Sequence, residues 1–413
     1  MNERSPDQRP AVPPWDLSGR QLLVPFDCHQ RTRFVYGPGT LARVGELAAE
    51  FGERVFLVTD PGLRSAGHEQ RCIDYLKAAG LQVVVYDQVR SNPSEDDVQN
   101  ALQAARDGDV QVIVGLGGGS SLDCAKGVNF LLTNGGRMRD YWGVGKARRP
   151  MLPMIAIPTT AGTGSEAQSF ALITHSETHM KMACGDPKAA CRVAILDPEL
   201  TLTMPPFVTA VTGMDAISHA VETFVTRRRN RVSLMFSREA WRLLSFGFPR
   251  VLRAPDDLAA RAAMLVGACL AGAAIENSML GIAHSLANPL SANFGTVHGV
   301  AVGCLLPHVV RFNAEEVADA YAELAEAAGI VDRSRAVPAR AAAEALAAQI
   351  QQWADAAGLM AHFPAERMTD QLLLTLAEQA AQQWTAQFNP RAAGVLELRA
   401  LYAAARQSAA TSQ

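Results

Sequence analysis

The chain has 413 residues, room for two or three domains at about 150 residues each. Its 38 Lys plus Arg against 41 Asp plus Glu give a net charge of −3, which excludes the broad basic footprint of a nucleic-acid or anionic-membrane binder. Hydrophobic residues at 48% and charged residues at 19% exclude a disordered chain.

The first segment, MNERSPDQRPAVPPW, has no apolar stretch of the kind a secretory signal needs. Its prolines at 6, 10, 13 and 14 predict a disordered tail over residues 1–20, and the default location is cytoplasmic. From there to residue 204 short apolar runs alternate with amphipathic stretches. The runs are 55–58, 83–86, 112–114 and 154–157; the stretches lie near 61–79, 95–107 and 120–133. That alternation predicts an α/β domain over 21–204, with a parallel sheet covered on both faces. From 205 to 413 the β pattern disappears. Segments 234–246, 258–288, 314–328, 338–357 and 370–385 are rich in Ala, Leu, Glu and Gln at helical spacing, predicting an all-helical second domain. The longest uncharged apolar run is the 14 residues between Arg261 and Glu276, short for a membrane span and suited to a buried helix. Seven scattered cysteines without CxxC spacing read as reduced, buried thiols.

Two turns in the first domain are built for close backbone approach. Val112 to Asp123 runs from a strand through Gly117-Gly118-Gly119-Ser120 into a helix, and a helix start behind glycines offers free N–H groups to a pyrophosphate. Pro158-Thr159-Thr160-Ala161-Gly162-Thr163-Gly164 again follows a strand directly. A tight turn needing glycine for geometry alone is the bland alternative for either one. In an ordinary dinucleotide unit the acid follows the glycine loop by about 20 residues. Here the candidate, Asp60, precedes it. Asp60 is either a ribose-binding acid that favours NAD over NADP or the N-cap of the helix starting at Pro61.

The second domain carries five of the nine histidines. Asp215 and His219 are four apart and share a helix face. His284 and His298 follow. On one straight helix, 14 residues would separate them by ~21 Å, but Asn288-Pro289 and Gly295-Thr296 are break signals that let the chain fold back. One carboxylate and three imidazoles suit iron(II) or zinc, an ion able to polarise a carbonyl or stabilise an alkoxide. Hydrogen-bonded interior histidines are the other reading.

Taken together, these motifs resemble the iron-containing (group III) alcohol dehydrogenase family over about residues 25–405. The matching stretches are Gly117 to Ser120 with Asp123 and Lys126, then Thr159 to Glu166. Asp197-Pro198 through Pro205-Pro206 follow, then Gly213-Met214-Asp215 with His219 to Glu222, and His298-Gly299-Val300. The resemblance implies the dehydroquinate synthase-like fold: an α/β nucleotide-binding domain, an all-α metal domain and a cleft between them. It implies a metal held by Asp215, His219, His284 and His298, iron(II) before zinc. It also implies NAD(H) bound at Asp60, Asn92, Gly117, Gly118, Gly119, Ser120, Asp123, Thr159, Thr160, Thr163 and Lys181. The implied reaction is hydride transfer between nicotinamide and a small alcohol or aldehyde, without nucleic acid or membrane, in what the family suggests is a homodimer.

Two features depart from the family pattern. Asn288 stands where many members carry a further histidine; an amide orients a water or substrate oxygen but does not titrate near neutrality. Arg227-Arg228-Arg229-Asn230-Arg231 is either a solvated loop or a steering patch for an anionic aldehyde. His175 and His179 read as surface residues. The rival functions are a dehydroquinate-synthase-like cyclase, which uses NAD transiently with zinc, and an inactive nucleotide binder.

Overall fold

The four apolar runs fold as β-strands, and five more strands accompany them among the residues described by this computed structural model, 24–178, 180–332 and 334–411. The tail expected over 1–20 and His179 lie outside those residues. In chain order the first half runs β1 (Arg33–Tyr36), α1 (Val44–Ala49), β2 (Arg54–Val58), α2 (Pro61–Ser65), α3 (His68–Ala78), β3 (Gln82–Tyr86) and α4 (Glu95–Asp107). It continues through β4 (Val112–Gly117), α5 (Gly119–Asn134), β5 (Gly143–Val144), β6 (Met154–Pro158), β7 (Phe170–Thr174), β8 (Lys181–Gly185) and β9 (Val193–Leu196).

Six strands form a parallel sheet in the order β1-β9-β6-β4-β2-β3. Its inner strands β4 and β6 are buried along their whole length, which is why their sequences are continuously apolar rather than alternating. Leu47 of α1 and Cys72 and Leu76 of α3 pack on one face; Val98 and Leu102 of α4 and Leu122 and Val128 of α5 pack on the other. A second sheet, ordered β5-β8-β7, pairs β7 and β8 antiparallel.

The second half is helical: α6 (Pro206–Val225), α7 (Arg231–Arg253), α8 (Leu258–Glu276), α9 (Ile282–Phe294), α10 (His298–Ala327), α11 (Ala339–Ala356), α12 (Asp370–Ala381) and α13 (Val395–Thr411). Side chains with oxygen acceptors start several of them: Asn230 caps α7, Asp257 caps α8 and Thr369 caps α12. Helix α8 has the length and hydropathy of a membrane span, but 72% of it is buried inside the protein as a core helix.

Several expectations need correction. The segment 258–288 is two helices, interrupted between Glu276 and Ile282, and 61–79 divides at Gly67, whose φ of 76° ends helical geometry. Pro289 does not break its helix; it sits inside α9, among the buried Leu286, Ala287 and Leu290. The break is made by Gly295, left-handed at φ 68°, which is where a helix prefers glycine. The segment 314–328 is the far end of α10, bent at Val317 (φ −135°, ψ 31°). Six of the cysteines are buried and unpaired, but Cys28 is exposed.

Candidate metal centre and nucleotide cleft

Three loops meet at the carboxyl ends of the neighbouring strands β2, β4 and β6, where open α/β sheets place ligands. Asp60 follows β2 and does two things at once. Its Oδ1 accepts the Gly62 N–H at 3.0 Å, capping α2, and its Oδ2 accepts the Ser121 hydroxyl at 3.2 Å, on the first turn of α5. Gly117 ends β4 at φ 149°, and a Cβ there would lie 2.4 Å from Ser121 Oγ, so no other residue fits this bend. Gly118, the N-cap of α5, has no side chain to satisfy the first N–H groups, the arrangement an anion needs. Asn92 joins them: at φ 53° it donates its N–H to Ser120 Oγ at 3.2 Å.

The turn after β6 closes against this loop. Thr159 donates its N–H to the Gly117 carbonyl at 3.0 Å; Thr160 lies against Gly118, and Thr163 against Gly119. On its other side, Gly162 abuts Thr212 of α6 and Gly164 lies on the α8 backbone at Gly272. Lys126 holds the turn from below. It is fully buried, and its Nζ donates to the carbonyls of Ser165, Gln168 and Phe170 and to Ser165 Oγ, at 2.6 to 2.9 Å. Asp123 is buried too, and accepts the Ser165 hydroxyl at 2.7 Å. Its carboxylate thus faces the turn, and burial raises its pKa. Lys181 starts β8; burial lowers its pKa, and the charges of Asp215 and Asp123 oppose that.

The helices bring the histidines together. α6 carries Asp215 and His219 on one face; Gly295 ends α9, so α10 returns and starts with His298. Three imidazole nitrogens approach one carboxylate oxygen, Asp215 Oδ1: His219 Nε2 at 3.3 Å, His298 Nε2 at 3.6 Å and His284 Nε2 at 3.7 Å. The ligand atoms of Asp215, His284 and His298 all lie within 4.8 Å of one another. The His219 ring stacks on His284 with centroids 4.9 Å apart, and the His284 and His298 centroids are 5.2 Å apart, far from the ~21 Å of a straight helix.

Asp215 Oδ1 and His284 Nε2 are buried without a hydrogen-bond partner, and such atoms are costly unless something else satisfies them. Burial alone would raise the Asp215 carboxyl, yet the charges of His219, His298 and His284 hold it far below the usual carboxylate range. Burial lowers His219; burial and Lys181 lower His298. Burial opposes charge on His284 as well, but Glu222 and Asp215 overcome it and push its pKa up to about 9. The donor set and its unpartnered atoms fit a divalent cation.

Sequence reasoning assigned Glu222 no role, though it lies three residues past His219 and seven past Asp215, on the same helix face. Its Oε2 lies 2.5 Å from His284 Nδ1. Asn288, one turn beyond His284, donates its amide to Gln383 Oε1 at 3.0 Å. The arginine run is occupied elsewhere. Arg229 donates to the Val225 carbonyl at the end of α6, Arg227 to the Pro390 carbonyl, and Arg228 lies over the Phe388 ring. Twelve residues along the helix from Asp215 is ~18 Å, so the run ties helix ends together rather than facing the centre. His175 accepts the N–H groups of Glu177 and Thr178 in a turn.

Comparison with known proteins finds relatives over most of the chain. The family profile described as iron-containing alcohol dehydrogenase matches residues 31–198, and the profile of that family's C-terminal domain matches residues 209–406. A NAD-dependent methanol dehydrogenase of Bacillus methanolicus is 32% identical over 365 residues, 88% of this chain and 95% of its own. A sulfoacetaldehyde reductase of Bilophila wadsworthia is 33% identical over 303 residues, 73% of this chain and 78% of its own. Among solved structures, a 1,3-propanediol oxidoreductase superposes with a TM-score of 0.88 at 32% identity, covering 92% of this chain and all of that one. The chain belongs to the iron-containing alcohol dehydrogenase family.

Proposed function

We propose that the protein is an NAD(H)-dependent, metal-assisted alcohol dehydrogenase or aldehyde reductase for small primary alcohols and aldehydes, with iron(II) as its ion. The observation that carries this reading is the convergence of Asp215, His219, His284 and His298, joined to the glycine loop by the turn after β6. The four residues would hold the ion, which supplies Lewis acidity toward the substrate oxygen. The N–H groups at the start of α5 cradle the pyrophosphate, Asp60 and Asn92 bound the adenosine end, and Thr159, Thr160 and Thr163 shape the path toward the nicotinamide. Lys181, at the start of β8 and close enough to Asp215 and Asp123 to feel both charges, would hold the nicotinamide ribose. Relatives named for methanol, 1,3-propanediol and sulfoacetaldehyde support small substrates and leave their charge open.

The test is anaerobic NADH oxidation by the metal-stripped protein, restored with iron(II) or zinc, against short neutral and anionic aldehydes. Metal-dependent oxidation is the expected result. NADH binding without oxidation under any metal would overturn the dehydrogenase reading in favour of a cyclase or a non-catalytic binder.

A further inference from the structure

Glu222 is buried on α6, and each of its oxygens meets a different group of the first turn of α9. Oε1 accepts the Ala283 N–H at 2.7 Å, and Oε2 lies 2.5 Å from His284 Nδ1. The approach depends on Gly281, where a Cβ would stand 3.0 Å from Oε1 and 2.9 Å from the Asn389 side-chain oxygen. An ionised carboxylate only accepts hydrogen bonds. Its contact with Nδ1 therefore requires the imidazole hydrogen there, so in the neutral ring that an ion ligates the lone pair is on Nε2. That is the nitrogen 3.7 Å from Asp215 Oδ1 that has no hydrogen-bond partner.

We propose that Glu222 is a positioning residue that fixes the His284 tautomer, so that Nε2 is offered to the ion. The inference rests on the metal centre described under the proposed function. A hydrogen bond at the outer nitrogen of a ligating histidine sets which nitrogen coordinates, and its loss typically weakens metal binding by ~10–100-fold. Glutamine cannot replace this carboxylate, although it has the same shape. With its oxygen toward Ala283, its NH2 meets Nδ1 and drives the hydrogen onto Nε2. With the amide turned over, two N–H donors oppose each other in a buried site.

The experiment measures zinc affinity by chelator competition for wild type, Glu222→Gln, His284→Ala and the double variant, with thermal midpoints of the metal-free proteins. Glu222→Gln is expected to weaken zinc binding by ~10–100-fold with little change in the metal-free midpoint, and to add little in the His284→Ala background. Unchanged affinity in Glu222→Gln, or the same loss with and without His284, overturns the inference. Nitrogen-15 spectra of zinc-loaded, histidine-labelled wild type supply a readout that needs no variant. A hydrogen on Nδ1 and the ion on Nε2 of His284 support the inference; the ion on Nδ1 overturns it. Wild type without zinc affinity, or with the same affinity as His284→Ala, overturns the underlying metal centre instead.

Discussion

Gly299 packs its Cα against the carbonyl oxygen of Val211, so closely that a Cβ at that position would collide with it. Helix α10 therefore starts in direct backbone contact with α6, and this contact sets how far His298 stands from Asp215 on the neighbouring helix. Gly299→Ala should push the start of α10 outward. Zinc affinity is expected to fall at least about tenfold, ~1.4 kcal/mol, alongside a lower thermal midpoint; competition with a chelator measures the first and calorimetry the second.

Stripping the ion should abolish turnover while leaving nucleotide binding in place, because the glycine loop takes none of its geometry from Asp215 or the histidines. Fluorescence titration with NADH would show binding retained and aldehyde reduction lost. The metal-free protein should also melt at lower temperature, since a ligand that binds only the folded state stabilises it.

Asp60 supports two structures, so its loss should have two consequences. Asp60→Ala removes the α2 cap and the Ser121 contact, costing ~1 kcal/mol of stability. It should also bring the kcat/KM values for NADH and NADPH closer together, because a 2′-phosphate no longer faces a carboxylate. An unchanged NADH to NADPH ratio would confine Asp60 to capping.

Lys126→Met keeps the unbranched stem of the side chain as far as Cε and removes the ammonium donors. Four acceptors at Ser165, Gln168 and Phe170 would then lose their shared donor, although the Ser165 carbonyl keeps the Gln168 N–H and its hydroxyl keeps Asp123. The expected loss is ~3 kcal/mol or more, read from urea unfolding. A weaker NADH affinity should accompany it, because the turn after β6 would lose its anchor beneath the cleft.

Glu166 gives stability a pH dependence. Burial raises its carboxyl from the ordinary value to about 7, against smaller opposing effects of its own backbone N–H, Lys126 and Cys269. The folded state thus holds a proton that the unfolded chain releases at lower pH. This acid therefore destabilises the fold progressively as pH rises from the ordinary carboxylate range through about 7. Glu166→Gln mimics the neutral acid at every pH. Between about pH 5 and about pH 8 its urea midpoint should fall less than that of wild type.

The inner strands were legible because burial on both faces leaves an unbroken apolar run, as in Val112–Val114 and Met154–Ile157. The two glycine-bearing turns were legible because backbone approach requires glycine whatever surrounds it. Edge strand β1 was not, since Arg33–Tyr36 is short and half exposed, and its chemistry is that of a loop. Pro289 misled because the cost of a proline inside a helix was judged without the burial around it; the chain turns at Gly295 instead. The four centre residues could be named from a resemblance, but their meeting depends on Gly295 and Gly299, which set helix positions and bear no ligand. Glu222 lay within a matching stretch but was given no role, because acids that orient a ligand look, in sequence, like any acid on a helix.

The turn after β6 is a wall between the two proposed sites: Thr159 and Thr163 border the glycine loop, and Gly162 and Gly164 border α6 and α8. A displacement there cannot be local to one of them. Linkage then imposes a symmetry on the coupling free energy between nucleotide and ion. Whatever the bound dinucleotide does, through this turn, to affinity at Asp215 and its histidines, the ion does in equal measure to affinity for the dinucleotide. A measured change of metal affinity on adding NADH therefore also gives the change of NADH affinity on adding metal.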